Sequence, residues 1–228
     1  MKLINVLAHR GNIEGPESKL ENTAAKCRGA MAAGFGLEID LRRSALGEFY
    51  ISHDPAPPTS DSRLEKFEPM FRKHSDLVVA VNVKELGYEE ELARLMEQGV
   101  FGRRSFYFDF EFLEPQDRGR SQRKILSSLG GAANRLAGRL SDRGDDIEHC
   151  LSIPAEVVWA DEFDSLWLKA EHIEILRKNR RQVYVISPEL HGFSTEERYE
   201  RWADFREWGV DGICTDYSLE AKLFFQQT

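Results

Sequence analysis

Apolar positions along this chain come in short bursts, and the bursts switch between two periods. Runs rich in Val, Ile, Leu and aromatic residues read as strands, whereas stretches with apolar positions three or four apart read as helices. Strands are predicted at residues 3–8, 37–41, 77–83, 105–110, 135–140, 156–160, 182–186 and 211–215, and residues 48–52 return as a hairpin arm beside the second strand. Helices are predicted at 22–33, 64–74, 88–98, 116–129, 170–178, 195–208 and 219–225. Gly34 and Gly36 stop the first helix, and the Val-rich run at 77–83 has the unbroken apolarity of a strand buried on both faces.

Strand and helix alternate from end to end with no linker, low-complexity stretch or internal repeat. The alternation and the length of 228 residues predict a single-domain α/β protein, a (β/α)8 barrel over residues 1–228. The alternative is an open doubly wound sheet, but no Gly-rich dinucleotide fingerprint follows the first strand. Polar residues gather where predicted strands end: His9, Glu38 and Asp40, Asn82 and Lys84, Asp109 and Glu111, Ser141 and Asp142, Asp161, Glu189 and His191, and Asp216. Barrel enzymes build their sites at that end.

Glu38 and Asp40 are two apart and share one face of the second strand, with Leu37, Ile39 and Leu41 on the other. Such alternation also suits a half-solvated strand. Inside a barrel, however, two carboxylates need a cation or protons, and a hard divalent ion, Mg²⁺ or Ca²⁺, meets that need. His9 and His53 are the candidate acid/base pair, because the hairpin arm returns His53 to the same end of the barrel. Arg10, directly after His9, is expected to turn toward the same place. Asn82 offers an amide oxygen to a metal and Lys84 a charge to a phosphate. Trp159, Trp167, Trp202 and Trp208 read as packing residues, and Phe106, Phe108 and Phe110 read as a strand face beneath the outer helices.

The charge balance narrows the partners. With 39 acidic against 31 basic residues the net charge is −8, and no Lys/Arg block stands out, so a wide nucleic-acid interface is not expected. Three widely spaced cysteines suit reduced thiols rather than a disulfide framework. The apolar start is too short for a signal peptide, no run approaches transmembrane length, and no amphipathic element suggests a membrane dock, so a cytoplasmic protein without stable membrane insertion is expected. The basic run at 118–124 reads as a solvated helix face.

Taken together, Ala8-His9-Arg10-Gly11, Pro16-Glu17, Glu21-Asn22-Thr23, Gly36-Leu37-Glu38-Ile39-Asp40-Leu41 and Ile51-Ser52-His53-Asp54-Pro55 resemble the glycerophosphodiester phosphodiesterases. A weaker match resumes at residues 211–217, while the middle of the chain, including residues 114–135, matches nothing specific. The resemblance implies a barrel with one divalent cation at its mouth, held by Glu38 and Asp40. His9 and His53 would be the acid/base pair, Arg10 would hold the phosphate, and a small phosphodiester with a hydroxyl next to the bridging oxygen would be the substrate.

Two departures from the family pattern stand out. Where it supplies a third acidic metal ligand two residues before a Lys, this chain reads Asn82-Val83-Lys84. Asp109, Asp161 and Glu189 are the carboxylates available to compensate or to contact substrate. Where the family carries a Trp-Thr pair, this chain reads Ser187-Pro188-Glu189-Leu190-His191. Both suggest a different leaving alcohol, with a sugar or lipid phosphodiester as one alternative. The loss of the acid also leaves open a barrel that binds phosphodiesters without turnover. A glycosidase built on Glu38 and Asp40 is disfavoured, because the two carboxylates stand too close to flank a sugar bond.

Overall fold

The computed structural model describes residues 4–128, 136–153 and 155–226. Its elements run β1 (Asn5–His9), α1 (Ala24–Ala32), β2 (Gly36–Arg43), β3 (Phe49–Ile51), α2 (Glu68–Lys73), β4 (Val78–Val83), α3 (Glu89–Glu97) and β5 (Arg104–Phe108). They continue with α4 (Phe110–Leu113), α5 (Arg120–Ser128), β6 (Ala137–Ser141), α6 (Ile147–Ser152), β7 (Val157–Asp161), α7 (Ala170–Lys178), β8 (Gln182–Ile186), α8 (Thr195–Trp208), β9 (Gly212–Thr215) and α9 (Ser218–Gln226).

Eight of the strands lie parallel in the order β5-β4-β2-β1-β9-β8-β7-β6, and a parallel bridge from Tyr107 to Leu136 brings β5 to β6. This is the expected (β/α)8 barrel. Strand β3 pairs antiparallel with β2 outside the ring, with Leu41 opposite Ile51, and so forms the predicted hairpin arm.

Period-two alternation sorts the side chains into two cores. Leu37, Ile39 and Leu41 pack outward with the helices, as expected. Leu7, Val78, Ala80, Phe106, Phe108, Ala137, Val157, Trp159, Tyr184, Ile186 and Cys214 pack inside the ring. Phe106 and Phe108 therefore do not lie beneath the helices. Phe106 sits 5.2 Å from Tyr184 between ring centroids, and Phe108 stacks on Trp159 at 4.1 Å. Smaller residues on the neighbouring strands leave the barrel axis open, and large rings are what fill it. Two glycines accommodate this filling. A Cβ on Gly36 would come within 2.4 Å of Leu7 and one on Gly212 within 2.3 Å of the Tyr184 ring.

Several boundaries shift for identifiable reasons. The first helix starts at Ala24 rather than 22, because Asn22 is left-handed (φ 58°) and the Thr23 side chain caps the helix through the Lys26 N–H. The helix expected at 64–74 is a 3-10 turn at Leu64–Lys66 followed by α2, whose first turn carries Pro69. The strand expected at 105–110 ends at Phe108, because Asp109 turns left-handed (φ 77°) and Phe110 begins α4. Helix α6 was not predicted; Asp146 caps it by accepting the His149 N–H. Part of the strand expected at 135–140 and of the helix expected at 116–129 lies outside the described residues.

The basic run at 118–124 is largely paired on the outside of the barrel. Arg118 meets Asp145, Arg120 meets Glu114, Arg123 meets Asp117 and Lys124 meets Glu89. Among the described residues no helix is long and apolar enough to cross a membrane.

Candidate active site

Strand register places the first cluster. His9 lies opposite Glu38 across β1 and β2, and Asp40 lies opposite Asn82 across β2 and β4. All four side chains stand on the inward face at the C-terminal end of the ring. His53 reaches the same mouth from the hairpin arm. The Ser52 N–H donates to the Asp40 carbonyl, and the Arg42 guanidinium donates to the carbonyls of Ser52 and His53. His9, Arg10, Glu38, His53, Asn82 and Lys84 thus line one cavity of about 220 Å³, together with Asp109, Arg139, Asp161 and His191. A second hollow of about 440 Å³ opens on the other side of Arg10 and His53, lined by Ser18, Asn22, Thr23, Tyr50, Ser52 and Thr59 among others.

Backbone strain concentrates here. Of the four non-glycine residues with positive φ among the described residues, Arg10 (50°), Asn22 (58°) and Asp109 (77°) all serve the mouth. The left-handed turn at Arg10 lets its N–H donate to the Glu38 carbonyl while its Nε reaches Asp40 Oδ2 at 3.0 Å.

Each carboxylate of the first cluster has a different environment. Asp40 is buried, which alone would raise its pKa. The charges of Lys84 and Arg10 and hydrogen bonds from Lys84 and Asn22 outweigh burial and hold it below its ordinary range. Lys84 Nζ stands 2.8 Å from Oδ1, and Asn22 Nδ2 donates to Oδ2 at 2.8 Å. Glu38 is equally buried, and burial together with the Asp40 charge pushes it well above the usual carboxylate range. Burial works to lower the His9 pKa, but the hydrogen bond to Asp216 and the charges of Glu38 and Asp216 prevail, so the imidazole sits above its ordinary value. Asp216 also accepts from Asn12 Nδ2 at 2.7 Å.

A divalent cation was expected at Glu38, Asp40 and Asn82. Glu38 Oε2 and Asn82 Oδ1 are buried oxygens with no hydrogen-bond partner, and both residues line the cavity. That donor chemistry, a carboxylate and an amide oxygen with Asp40 close by, fits a hard cation. Among the described residues no three His, Cys, Asp or Glu side chains gather as a metal site.

Across the mouth, β5 to β8 supply a second cluster. Arg139, buried inside the ring on β6, pairs with Asp109 and with Asp161 Oδ2 (2.7 Å), and His191 Nε2 contacts Asp161 Oδ1 at 2.5 Å. Asp109 and Asp161 therefore face the cavity, as their strand-end positions suggested. Glu189 is turned elsewhere. It accepts from the Ser187 and Thr215 hydroxyls and from the Asp216 N–H, which braces the turn that carries Asp216.

Sequence reasoning assigned no role to Asp216, Asn22 or Arg139. The first two lie within motifs that were recognised, so a signal existed. Arg139 gave none, since an Arg within a short strand usually reads as a surface residue.

No family model and no curated protein matches this chain. Solved structures do. A glycerophosphodiester phosphodiesterase from Agrobacterium tumefaciens superposes with a TM-score of 0.70 at 18% identity, covering 99% of this chain and 100% of that one. The chain has its fold. One from Parabacteroides distasonis gives a TM-score of 0.70 at 17% identity over 97% of this chain and 96% of that one. A protein from Galdieria sulphuraria, described as a candidate member of the same enzyme class, gives 0.75 at 18% identity over 99% of both chains.

Proposed function

We propose that this protein is a metal-dependent phosphodiesterase of the glycerophosphodiester phosphodiesterase type. Its substrate is a small phosphodiester with a hydroxyl next to the bridging oxygen. The observation that carries this reading is the convergence of His9, Arg10, Glu38 and His53 on one cavity at the C-terminal end of the barrel. The names of the superposing structures support it, as does the agreement of the motif positions with that family's pattern.

In this reading Arg10 and Lys84 supply positive charge for the phosphoryl oxygens. Glu38, Asp40 and Asn82 would hold the divalent cation, which when bound neutralises charge on the phosphate and favours the attacking oxygen. The neighbouring hydroxyl of the substrate attacks phosphorus and gives up its proton to one histidine. The bond from phosphorus to the leaving alcohol breaks, and the other histidine protonates that oxygen. The product is a cyclic phosphodiester, which water opens as the two histidines exchange roles. His9 suits proton donation in the first half, because Asp216 and Glu38 favour its protonated form.

Hydrolysis of glycerophosphocholine, glycerophosphoinositol and bis-p-nitrophenyl phosphate, with Mg²⁺, with Ca²⁺ and with EDTA, tests the proposal. Cleavage of any member that EDTA abolishes sustains it. If no member is cleaved although metal and substrate together stabilise the protein, the barrel is a phosphodiester-binding module instead.

A further inference from the structure

Glu189 has no part in the chemistry above. Leu190 and His191 of the same turn line the cavity, whereas Glu189 does not. Both of its carboxylate oxygens are occupied. Oε1 accepts from the Thr215 hydroxyl and, at 3.2 Å, from the Asp216 N–H, and Oε2 accepts from the Ser187 hydroxyl. Each hydroxyl accepts a bond in its turn. The buried Trp202 donates through Nε1 to Ser187 Oγ at 2.7 Å, and the Tyr217 N–H donates to Thr215 Oγ1 at 3.0 Å.

Every bond in this network therefore has a fixed direction. An indole or peptide N–H cannot accept, so each hydroxyl sends its single proton on to Glu189, and an ionised carboxylate only accepts. The backbone beneath is equally defined. Pro188 opens a 3-10 turn at Pro188–His191, Gly192 closes it at φ 81°, and the Ser187 N–H donates to the Cys214 carbonyl at 2.9 Å. Asp216 is then held from both sides, its N–H by Glu189 and its carbonyl by the Gly15 N–H at 2.9 Å. Its Oδ1, which also accepts from Asn12, is thereby kept 2.7 Å from His9 Nδ1. Ser187-Pro188-Glu189-Leu190-His191 is one of the two places where the chain departs from the family pattern, and this network gives that departure a task.

We infer that Glu189 is a positioning residue for His9: through the Asp216 peptide it holds the carboxylate that keeps a proton on His9 Nδ1 and aims Nε2 at the leaving oxygen. The inference rests on the phosphodiesterase reading. Proton transfer is sensitive to placement, and a shift of about 1 Å can cost about 100-fold. Glu189 thus acts on the step in which the leaving alcohol takes its proton, and not on the binding of the phosphate, which Arg10 and Lys84 serve.

The test follows the first step with glycerol phosphodiesters that differ in their leaving group. Choline or inositol departs as a poor alkoxide and needs the proton, whereas p-nitrophenol departs as a stable anion without it. Glu189→Gln sets an amide NH2 against a group that already donates. It should lower kcat on the faster of glycerophosphocholine and glycerophosphoinositol by about tenfold or more, with KM and the release of p-nitrophenolate each changed by less than about threefold. In the Asp216→Asn background the same substitution should add no more than about twofold. Thr215→Val removes one of the donors and should lower kcat with the same selectivity, while Thr215→Ser keeps the hydroxyl and should match the native protein. That pair decides the matter if Glu189→Gln does not fold. Native rates in both Glu189→Gln and Thr215→Val, equal losses on all leaving groups, a loss confined to KM, or a loss additive with Asp216→Asn overturns the inference and leaves the phosphodiesterase reading intact. If the native protein cleaves none of these diesters, the phosphodiesterase reading falls, and nitrogen NMR of the neutral His9 imidazole decides the positioning. A single form protonated at Nδ1 in the native protein and a mixture of forms in Glu189→Gln retains it, and the same form in both removes it.

Discussion

Asp216 Oδ1 stands 2.7 Å from His9 Nδ1, and this contact decides which nitrogen of the imidazole faces the cavity. An acceptor at Nδ1 keeps a proton there and leaves Nε2, 3.9 Å from Glu38 Oε2, for the substrate. Asp216→Asn removes the hydrogen bond to a charged partner and one of the charges that raise the His9 pKa. The titration midpoint of that imidazole should therefore fall, which NMR can follow directly. Turnover should drop by a factor on the order of 10² to 10⁴. An unmoved midpoint would mean that Asp216 serves only the fold.

His53 is exposed, with its Nδ1 2.8 Å from Asp54, and carries little of the packing. His53→Ala should reduce turnover by a factor on the order of 10² or more while changing stability by less than about 0.5 kcal/mol. Rates near those of the native protein would exclude His53 from the acid/base pair.

Glu38 is a buried carboxylate whose folded-state pKa lies above its ordinary 4.5. The folded state then binds its proton more tightly than the unfolded state does, so the metal-free protein loses stability as pH rises above 4.5. Glu38→Gln removes that loss. Its melting temperature should exceed that of the native protein at pH 8 with EDTA, and the order should reverse with saturating Mg²⁺ or Ca²⁺. The same order with and without cation would mean that Glu38 is not a ligand.

Asn82 contributes an amide oxygen where a third carboxylate would raise the negative charge of the donor set. Asn82→Glu should tighten divalent-cation binding by about tenfold or more in a calorimetric titration. In the absence of cation it should destabilise the protein, because a third acid joins Glu38 and Asp40 away from water. Unchanged cation affinity would place the ion elsewhere.

Glu89 supplies a pH test remote from the site. It opens α3 and accepts from Lys124 Nζ at 2.7 Å and from the Gly87 N–H at 2.9 Å. Burial opposes its ionisation, but these contacts prevail and hold it at about 2, below the ordinary 4.5. Its contribution is therefore complete above pH 4.5 and fades as pH falls toward 2. Glu89→Gln should lower the melting temperature at pH 7, with the gap to the native protein closing across that window. A gap of equal size at both ends would show that shape, not charge, holds α5 against α3.

The first half of the site was legible because its residues are close in sequence and their spacing matches strand geometry. Glu38 and Asp40 two apart, with leucine and isoleucine between and around them, can only share a face. The second half was not legible. Arg139 is inward only because β6 runs in a particular register within a closed ring, and nothing local to the 135–140 run announces that register. The same ambiguity misplaced Phe106 and Phe108. On a strand buried on both faces, aromatics look alike whether they meet helices or the barrel axis, and only ring closure separates the two.

That axis has a kinetic consequence. Phe106, Trp159, Tyr184 and Leu7 stopper the barrel from below, so the cavity is closed at its inner end. In the proposed reaction, a fragment lodged against that floor would leave only through the mouth, past whatever part of the diester lies above it. Whichever fragment lies deeper waits for the other. Departure is then sequential by construction, and the deeper product should be the one that inhibits by competing with fresh substrate for the empty protein.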